Sequence, residues 1–196
     1  MHPELLSLAL FMFVTSCSPG PNNIVASYSG FNFGILKTIP HMLGVIFGFT
    51  VLVTITNFGL INVFQKFPII QEILKYSGSL FLIYLAYKIS FSKNHTNHFK
   101  NNPVRFIETF FFQFINPKAI IYALLAISMF VDVQNNYLRD SMTLTAVFFF
   151  GAIGSQLAWC LVGKYLRKFA TSKKFIKNFN YSMSFLLIVC VIMFYV

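Results

Sequence analysis

Two proline-containing motifs lie inside long apolar stretches of this chain. The first is Ser18-Pro19-Gly20-Pro21-Asn22-Asn23, and the second is Asn116-Pro117-Lys118. A proline removes a backbone N–H and its ring clashes with the preceding turn, so each motif is predicted to interrupt a helix. Backbone groups freed in this way are costly against lipid, so we expect them to face protein or a water-filled cavity.

These motifs carry groups that can bind a small polar molecule. A helix that restarts after Pro21 directs free N–H groups and a partial positive charge into the membrane interior, where an anion can bind. Counted from Arg105, Lys118 lies about 20 Å along its helix, deep in a hydrocarbon layer of about 30 Å. An ionisable residue at that depth is a functional-site hypothesis by default.

A purely structural role stays open for each of these residues. A proline can introduce a kink and nothing more, and Lys118 can snorkel or pair with a carbonyl group. Asn22, Asn23 and Asn116 can simply cap the interrupted helices, although even that role would shape a binding site.

The composition places the two motifs in a membrane protein. Of the 196 residues, 57% are hydrophobic and 10% are charged, and the mean hydropathy is +0.70. Soluble domains carry about 25% charged residues, so a soluble enzyme or a disordered regulator is excluded. We predict an all-α polytopic membrane protein, a single transmembrane domain over residues 1–196 with six transmembrane helices. The predicted spans are about 4–28, 41–63, 69–91, 106–131, 142–163 and 179–196.

The basic residues predict how these spans are oriented. Eleven Lys and Arg residues fall on the face that carries loops 1–2, 3–4 and 5–6, three fall on the other face, and Lys118 lies within a span. Because basic residues collect on the cytoplasmic side, we expect the eleven-residue face to be cytoplasmic and both termini to be outside. This topology accounts for the net charge of +10. No nucleic-acid partner is expected, because the charges form no continuous basic face.

The spacing of the two motifs suggests an internal repeat. Pro19 and Pro117 are 98 residues apart, which is half the chain, and each of the halves 1–98 and 99–196 holds three predicted spans. Three is an odd number, so the second half would enter the membrane from the opposite side. The pattern predicts a 3+3 inverted repeat in which helices 1 and 4 are broken and meet near the midplane, as in many secondary transporters.

The remaining polar residues suggest few other kinds of chemistry. Gln113 and Gln156 lie in apolar runs, where each either lines a cavity or makes a single interhelical hydrogen bond. His41 is a candidate proton carrier. The five carboxylates lie near predicted span ends, which argues against a midplane carboxylate pair for a cation: Glu4, Glu72, Glu108, Asp132 and Asp140.

No pattern in the chain indicates catalysis or a bound cofactor. The three cysteines have no close-spaced partner and are interpreted as small apolar side chains: Cys17, Cys160 and Cys190. The chain has no nucleophile elbow, zinc-protease motif or phosphate-binding loop. We therefore expect no enzyme activity, no metal site and no cofactor.

Taken in order along the chain, several motifs resemble the LysE/RhtB amino-acid exporters. The first is the Ser18–Asn22 motif, followed by Ser29-Gly30, Phe33-Gly34, Gly44 and Gly48. A second segment is Leu74–Gly78 with Leu82–Lys88, and a third is Phe114-Ile115-Asn116-Pro117-Lys118-Ala119. Together these segments cover about residues 5–130.

The resemblance implies a bacterial inner-membrane protein that exports amino acids, driven by the proton motive force. Its substrate would be a small-molecule amino acid, its surroundings the lipid bilayer, and a homo-oligomer is possible. Combined with the motifs, it implies that the substrate carboxylate binds at the half-helix N-termini after Pro21 and Pro117, aided by Lys118. The ammonium would bind near Ser18, Asn22, Asn23 and Asn116. Two alternatives stay open: an ion or metal permease of similar architecture, and a non-transporting membrane scaffold.

Overall fold

The structure is a computed structural model that describes residues 3–60, 66–90, 103–132 and 134–195. Within these ranges every regular element is helical. The chain forms α1 (Pro3–Cys17), α2 (Pro21–Ile55), a π-helical turn (Thr56–Leu60), α3 (Pro68–Ser90), α4 (Phe106–Ile115), α5 (Pro117–Phe130), α6 (Tyr137–Arg167) and α7 (Lys173–Met193).

Helix α2 contains a reversal where the sequence predicted a loop. Gly34 has φ 77° and ψ 175°, a conformation essentially restricted to glycine, and it divides α2 into a first arm (21–33) and a second arm (35–55). His41 Nε2 lies 3.4 Å from Asn22 O, whereas a straight helix would separate these positions by about 28 Å. The two arms therefore lie side by side, and the connection between the first two predicted spans is a single sharp turn at Gly34.

Side-chain pairs show that the rods of the bundle alternate in direction. The second arm of α2 runs antiparallel to α6, because Tyr137 OH donates to Asn57 O at one end while Phe49 packs on Phe148 further along. Helices α3 and α7 are also antiparallel, since Ser79 lies beside Tyr195 and Ser90 beside Ser184. Helix α1 with the first arm of α2 forms one interrupted rod, and α4 with α5 forms another.

The predicted interruption of the fourth span is observed as a bend of 60° between α4 and α5. By length and composition, three stretches can each cross a membrane, namely Pro21–Gly59, Tyr137–Arg167 and Lys173–Met193. The bent pair α4–α5 is a fourth if it is counted as one span. The first of these stretches contains the reversal at Gly34, so it folds back on itself.

The bundle is apolar outside and partly polar inside. Phe13, Phe150 and Met193 are 66%, 69% and 71% exposed, whereas His41 and Gln113 are completely buried. Such broad apolar exposure is unusual for a protein in water and is expected for one surrounded by hydrocarbon. Other buried polar side chains include those of Asn23, Ser29, Thr38, Asn116, Gln156 and Asn180.

Glycines allow two pairs of rods to approach closely. Gly44 and Gly48 of the second α2 arm lie against the α4 backbone around Phe106 and Phe110, where a Cβ atom would clash. Gly163 of α6 lies in the same way against the backbone of Ser27. Gly44 and Gly48 thus form a GxxxG contact, in which two small residues one turn apart let two helix backbones approach closely.

Replacing Gly34 with alanine should destabilise the protein. A side chain at this φ and ψ costs about 1–3 kcal/mol even though the space around Gly34 is open. The measurement is thermal unfolding of the purified protein in detergent. Gly154→Ala is the matched control, because Gly154 lies within α6 and an added Cβ would also meet open space. Equal melting temperatures for the two variants would contradict the assignment of the reversal to Gly34.

Candidate functional site

The first interruption exposes the N-terminus of α2. Helix α1 ends at Cys17, and α2 begins at Pro21 with Gly20 as its N-cap residue in extended conformation. No side chain caps this end of α2. Pro21 has no N–H, and the next first-turn N–H groups have no acceptor within the helix, so they are available to an anion.

The opposite side of the same interruption presents backbone carbonyl groups from the end of α1. Asn23 Nδ2 donates to Ser16 O at 3.0 Å and to Ser18 O at 3.1 Å. Trp159 Nε1 of α6 also donates to Ser16 O, at 3.0 Å. Asn23 therefore stabilises the interruption by binding the carbonyl groups that α1 leaves free, and it does not cap α2.

Lys118 places its ammonium group at this carbonyl-rich end. Its Nζ donates to Ser18 Oγ at 2.8 Å, Ser18 O at 3.0 Å and Pro19 O at 3.3 Å. The ring centroid of Tyr122 lies 5.4 Å away. These acceptors are neutral, and the C-terminus of a helix carries a partial negative charge that favours a cation. The contact joins the second interruption to the first.

The second interruption differs from the first because its helix is capped. Asn116 is the N-cap of α5, and its Oδ1 accepts a hydrogen bond from Lys118 N at 3.1 Å. The side chain is 2% exposed. Asn116 therefore has the capping role, and the two half-helix N-termini are not equivalent.

Asn22 and Gln113 bind each other across the two interrupted rods. Asn22 Nδ2 donates to Gln113 Oε1 at 2.8 Å, and Gln113 Nε2 donates to Asn22 Oδ1 at 3.2 Å. Gln113 Nε2 also donates to Thr109 O at 2.8 Å. The reciprocal pair satisfies the buried amide of Gln113 and the half-buried amide of Asn22, and it fixes the start of α2 against α4.

A cavity of about 80 Å³ lies between the two interruptions. Two of its polar atoms, Ser16 Oγ and Gln156 Oε1, are buried and have no hydrogen-bond partner among the described residues. Unpartnered buried acceptors of this kind are suited to a bound donor such as an ammonium group. The polar lining consists of Thr15, Ser16, Asn22, Asn23, Gln113, Asn116, Lys118, Tyr122, Ser155 and Gln156.

A second cavity, of about 700 Å³, adjoins the first. Gly20, Pro21, Lys118 and Tyr122 line both, so these residues form the boundary between the two. The larger cavity extends along the start of α3 and the end of α7, towards the end of the bundle at which α1 begins and α7 ends. Its other lining residues include Glu72, Lys75, Ile121, Cys190, Met193 and Phe194.

The structure brings all nine predicted site residues to these two cavities. Gly20, Pro21, Asn22, Asn23, Asn116 and Lys118 line the smaller one, and Ser18, Pro19 and Pro117 line the larger one. The sequence interpretation left the roles of Gln113 and Gln156 undecided, although an amide within an apolar run was a usable signal. It did not identify Ser16, Ser155 or Tyr122, because hydroxyl groups are common in membrane helices and carry little signal alone.

An apolar helical bundle with two interrupted helices around a polar cavity has the architecture of a membrane transport protein. The profile of the LysE type translocator family matches residues 13–196. The chain belongs to this family, so it is a multi-pass membrane translocator and not an enzyme. The resemblance drawn from the sequence motifs is confirmed. Among the described residues, no group of three or more His, Cys, Asp or Glu side chains is placed to hold a metal ion.

Named relatives match over almost the whole length of the chain. The cysteine/O-acetylserine efflux protein of Escherichia coli strain K12 is 25% identical over 193 residues, covering 98% of each chain. The proteins of the same name from Escherichia coli O157:H7 and strain 536 show the same identity and coverage. No solved structure matches the chain.

The amide pair predicts strong coupling between Asn22 and Gln113. Replacing Gln113 with leucine leaves the Asn22 amide without its partner, and replacing Asn22 with leucine leaves Gln113 Oε1 buried without a donor. Each change should cost about 1–3 kcal/mol of stability. The double variant should lose less than the sum of the two single losses. A double-mutant cycle on unfolding free energies in detergent measures this difference. Strictly additive losses would show that the two side chains do not interact.

Proposed function

We propose that the protein is a secondary active transporter that exports small neutral amino acids, or close derivatives such as their O-acyl forms, across the bacterial inner membrane. The observation that carries the proposal is the meeting of two interrupted helices around a polar cavity that contains an uncapped helix N-terminus and a half-buried ammonium group. The names of the relatives support the substrate class. We propose the proton motive force as the energy source, because the chain has no nucleotide-binding motif.

The cavity offers separate positions for the two charges of an amino acid. The carboxylate would bind the free N–H groups at the start of α2, near the ammonium of Lys118. The substrate ammonium would bind Gln156 Oε1 and Ser16 Oγ, the acceptors without partners. This differs from the arrangement expected from the sequence, because Ser18 O and Pro19 O are already bonded to Lys118 and Asn116 caps α5.

We infer that six membrane spans hold this site. They would be the six rods, which alternate in direction: α1 with the first α2 arm, the second α2 arm, α3, α4 with α5, α6, and α7. We propose that the end with both termini faces outside, because the opposite end carries most of the basic residues. The larger cavity then leads from Lys118 to the outside.

A 3+3 inverted repeat is supported by how the rods pack. In such a repeat the second rod corresponds to the fifth and the fourth to the first. The second rod meets the fourth through Gly44 and Gly48, and the fifth meets the first through Gly163 at Ser27 and through Gly30 at Cys160. Close glycine contacts thus occur in both of the pairs that the repeat would make equivalent.

Transport by purified protein in lipid vesicles tests the proposal. Vesicles loaded with unlabelled O-acetylserine or reduced cysteine should take up the labelled compound by exchange. Lys118→Met should weaken apparent affinity about ten- to a hundredfold, because a hydrogen bond to a charged group is worth about 1.5–3 kcal/mol. Ser18→Ala should weaken exchange to a smaller degree, by removing one acceptor of Lys118.

Ser128→Ala is the matched control for Ser18→Ala. The Ser128 hydroxyl is exposed and donates to Leu125 O in its own helix at 2.9 Å. It should exchange substrate at the unmodified rate. Exchange that persists unchanged in Lys118→Met would refute the site assignment. Wild-type vesicles that exchange metal ions but no amino acid would favour the permease alternative, and vesicles that exchange nothing would favour a scaffold.

A further inference from the structure

We propose that His41 is the site that binds the proton exchanged for the substrate. The inference rests on the proposed function and adds the residue that couples transport to the proton gradient.

His41 is completely buried in the second arm of α2, directly behind the first turn of the first arm. Its Nε2 lies 3.4 Å from the carbonyl oxygen of Asn22, which lines the smaller cavity. Its own carbonyl oxygen accepts a hydrogen bond from Thr109 Oγ1 of α4 at 3.1 Å. The imidazole therefore contacts the helix start at which the substrate carboxylate is proposed to bind.

The contact with Asn22 determines which nitrogen is free. A carbonyl oxygen only accepts hydrogen bonds, so Nε2 must carry the hydrogen and Nδ1 must present a lone pair. The structure gives Nδ1 no partner among the described residues. The site is thus a buried nitrogen lone pair that holds no hydrogen bond and that a proton can occupy.

A chain of hydrogen-bonding groups leads from the imidazole to the first interruption. Gln156 of α6 faces the imidazole, and its Oε1 has no partner. Its Nε2 donates to Asn23 Oδ1 at 3.0 Å, and Asn23 in turn holds the carbonyl groups of Ser16 and Ser18. A proton on Nδ1 creates a new donor and a positive charge. Both would rearrange these hydrogen bonds at the proposed ammonium site.

The side chains around His41 are uncharged, so His41 is the group among them that can take up a proton. The first α2 arm contributes Asn22, α4 contributes Thr109, and α6 contributes Gln156 and, near Thr38, the thiol of Cys160. None of these carries a charge. Lys118 lies across the cavity and is bonded to Ser18 and Pro19.

Three of the carboxylates that the structure describes have structural partners. Glu108 accepts from Arg105 N and pairs with Lys88, and Asp132 accepts from Gln134 N. Asp140 pairs with Arg139. Glu72 lines the larger cavity, so it is the competing candidate for the proton site and serves as the comparison.

The test compares exchange with gradient-driven accumulation in one set of vesicles. With the lumen one pH unit more acidic than the outside, wild-type protein that exchanges one proton per substrate should accumulate substrate about tenfold, the equivalent of about 1.4 kcal/mol. His41→Gln keeps an N–H for the Asn22 carbonyl and loses the titratable nitrogen. It should exchange substrate at zero gradient, yet accumulate it only to equal concentrations. Glu72→Gln keeps the imidazole of His41, so its accumulation should still rise with the pH gradient.

Each alternative outcome overturns a specific part of the scheme. Gradient-driven accumulation by His41→Gln, or its loss in Glu72→Gln alone, would overturn the assignment to His41. Wild-type exchange without any gradient-driven accumulation would overturn proton coupling while leaving amino-acid transport in place. No exchange by the wild type would overturn the proposed function and this inference with it. If His41→Gln does not fold, His41→Asn is held to the same criteria. A pH dye also follows proton movement when substrate is added to wild-type vesicles, at pH values on both sides of neutrality. The proposal expects protons to move in the direction opposite to the substrate, and no proton movement would overturn it.

Discussion

The ammonium of Lys118 on the exposed carbonyl groups of Ser18 and Pro19 is the contact on which the rest of the site depends. An interrupted helix inside a bilayer leaves donors at one end and acceptors at the other, with no water to satisfy them. Lys118 and Asn23 satisfy the acceptors at the end of α1. The donors at the start of α2 receive no side-chain cap, so the same interruption is stable on one side and open to a ligand on the other.

This division makes the two interruptions unequal in role. Asn116 caps the N-terminus of α5. Lys118, in the first turn of α5, extends its side chain across the cavity to Ser18. The second interruption thus contributes a charge, whereas the first contributes free backbone donors. Gln113 and Gln156 hold the start of α2 from opposite sides, through Asn22 and Asn23 respectively, and so fix the distance between the donors and the charge.

The sequence predicted the parts of this arrangement that depend on local chemistry. Proline and glycine determine where a helix stops, so Pro19, Pro21 and Pro117 located both interruptions and with them the cavity. The connection between the first two predicted spans is a reversal at Gly34, whose positive φ the pattern of polar residues did not locate. The partners of Lys118, Asn22 and Gln156 lie many residues away in sequence. Which carbonyl or amide each meets depends on helix rotation and depth, which a single sequence does not specify.

The glycine contacts bear on how the chain is assembled. Gly44 and Gly48, from the first half of the sequence, lie against a helix of the second half, and Gly163, from the second half, lies against the first. Neither half encloses its own interruption. When only the first three rods have been synthesised, the helices that cover the first interruption are therefore still missing. The polar turn at Ser18 stays uncovered, in the translocation machinery or in lipid, until α6 has been inserted. Folding can therefore be completed only when nearly all of the chain has entered the membrane.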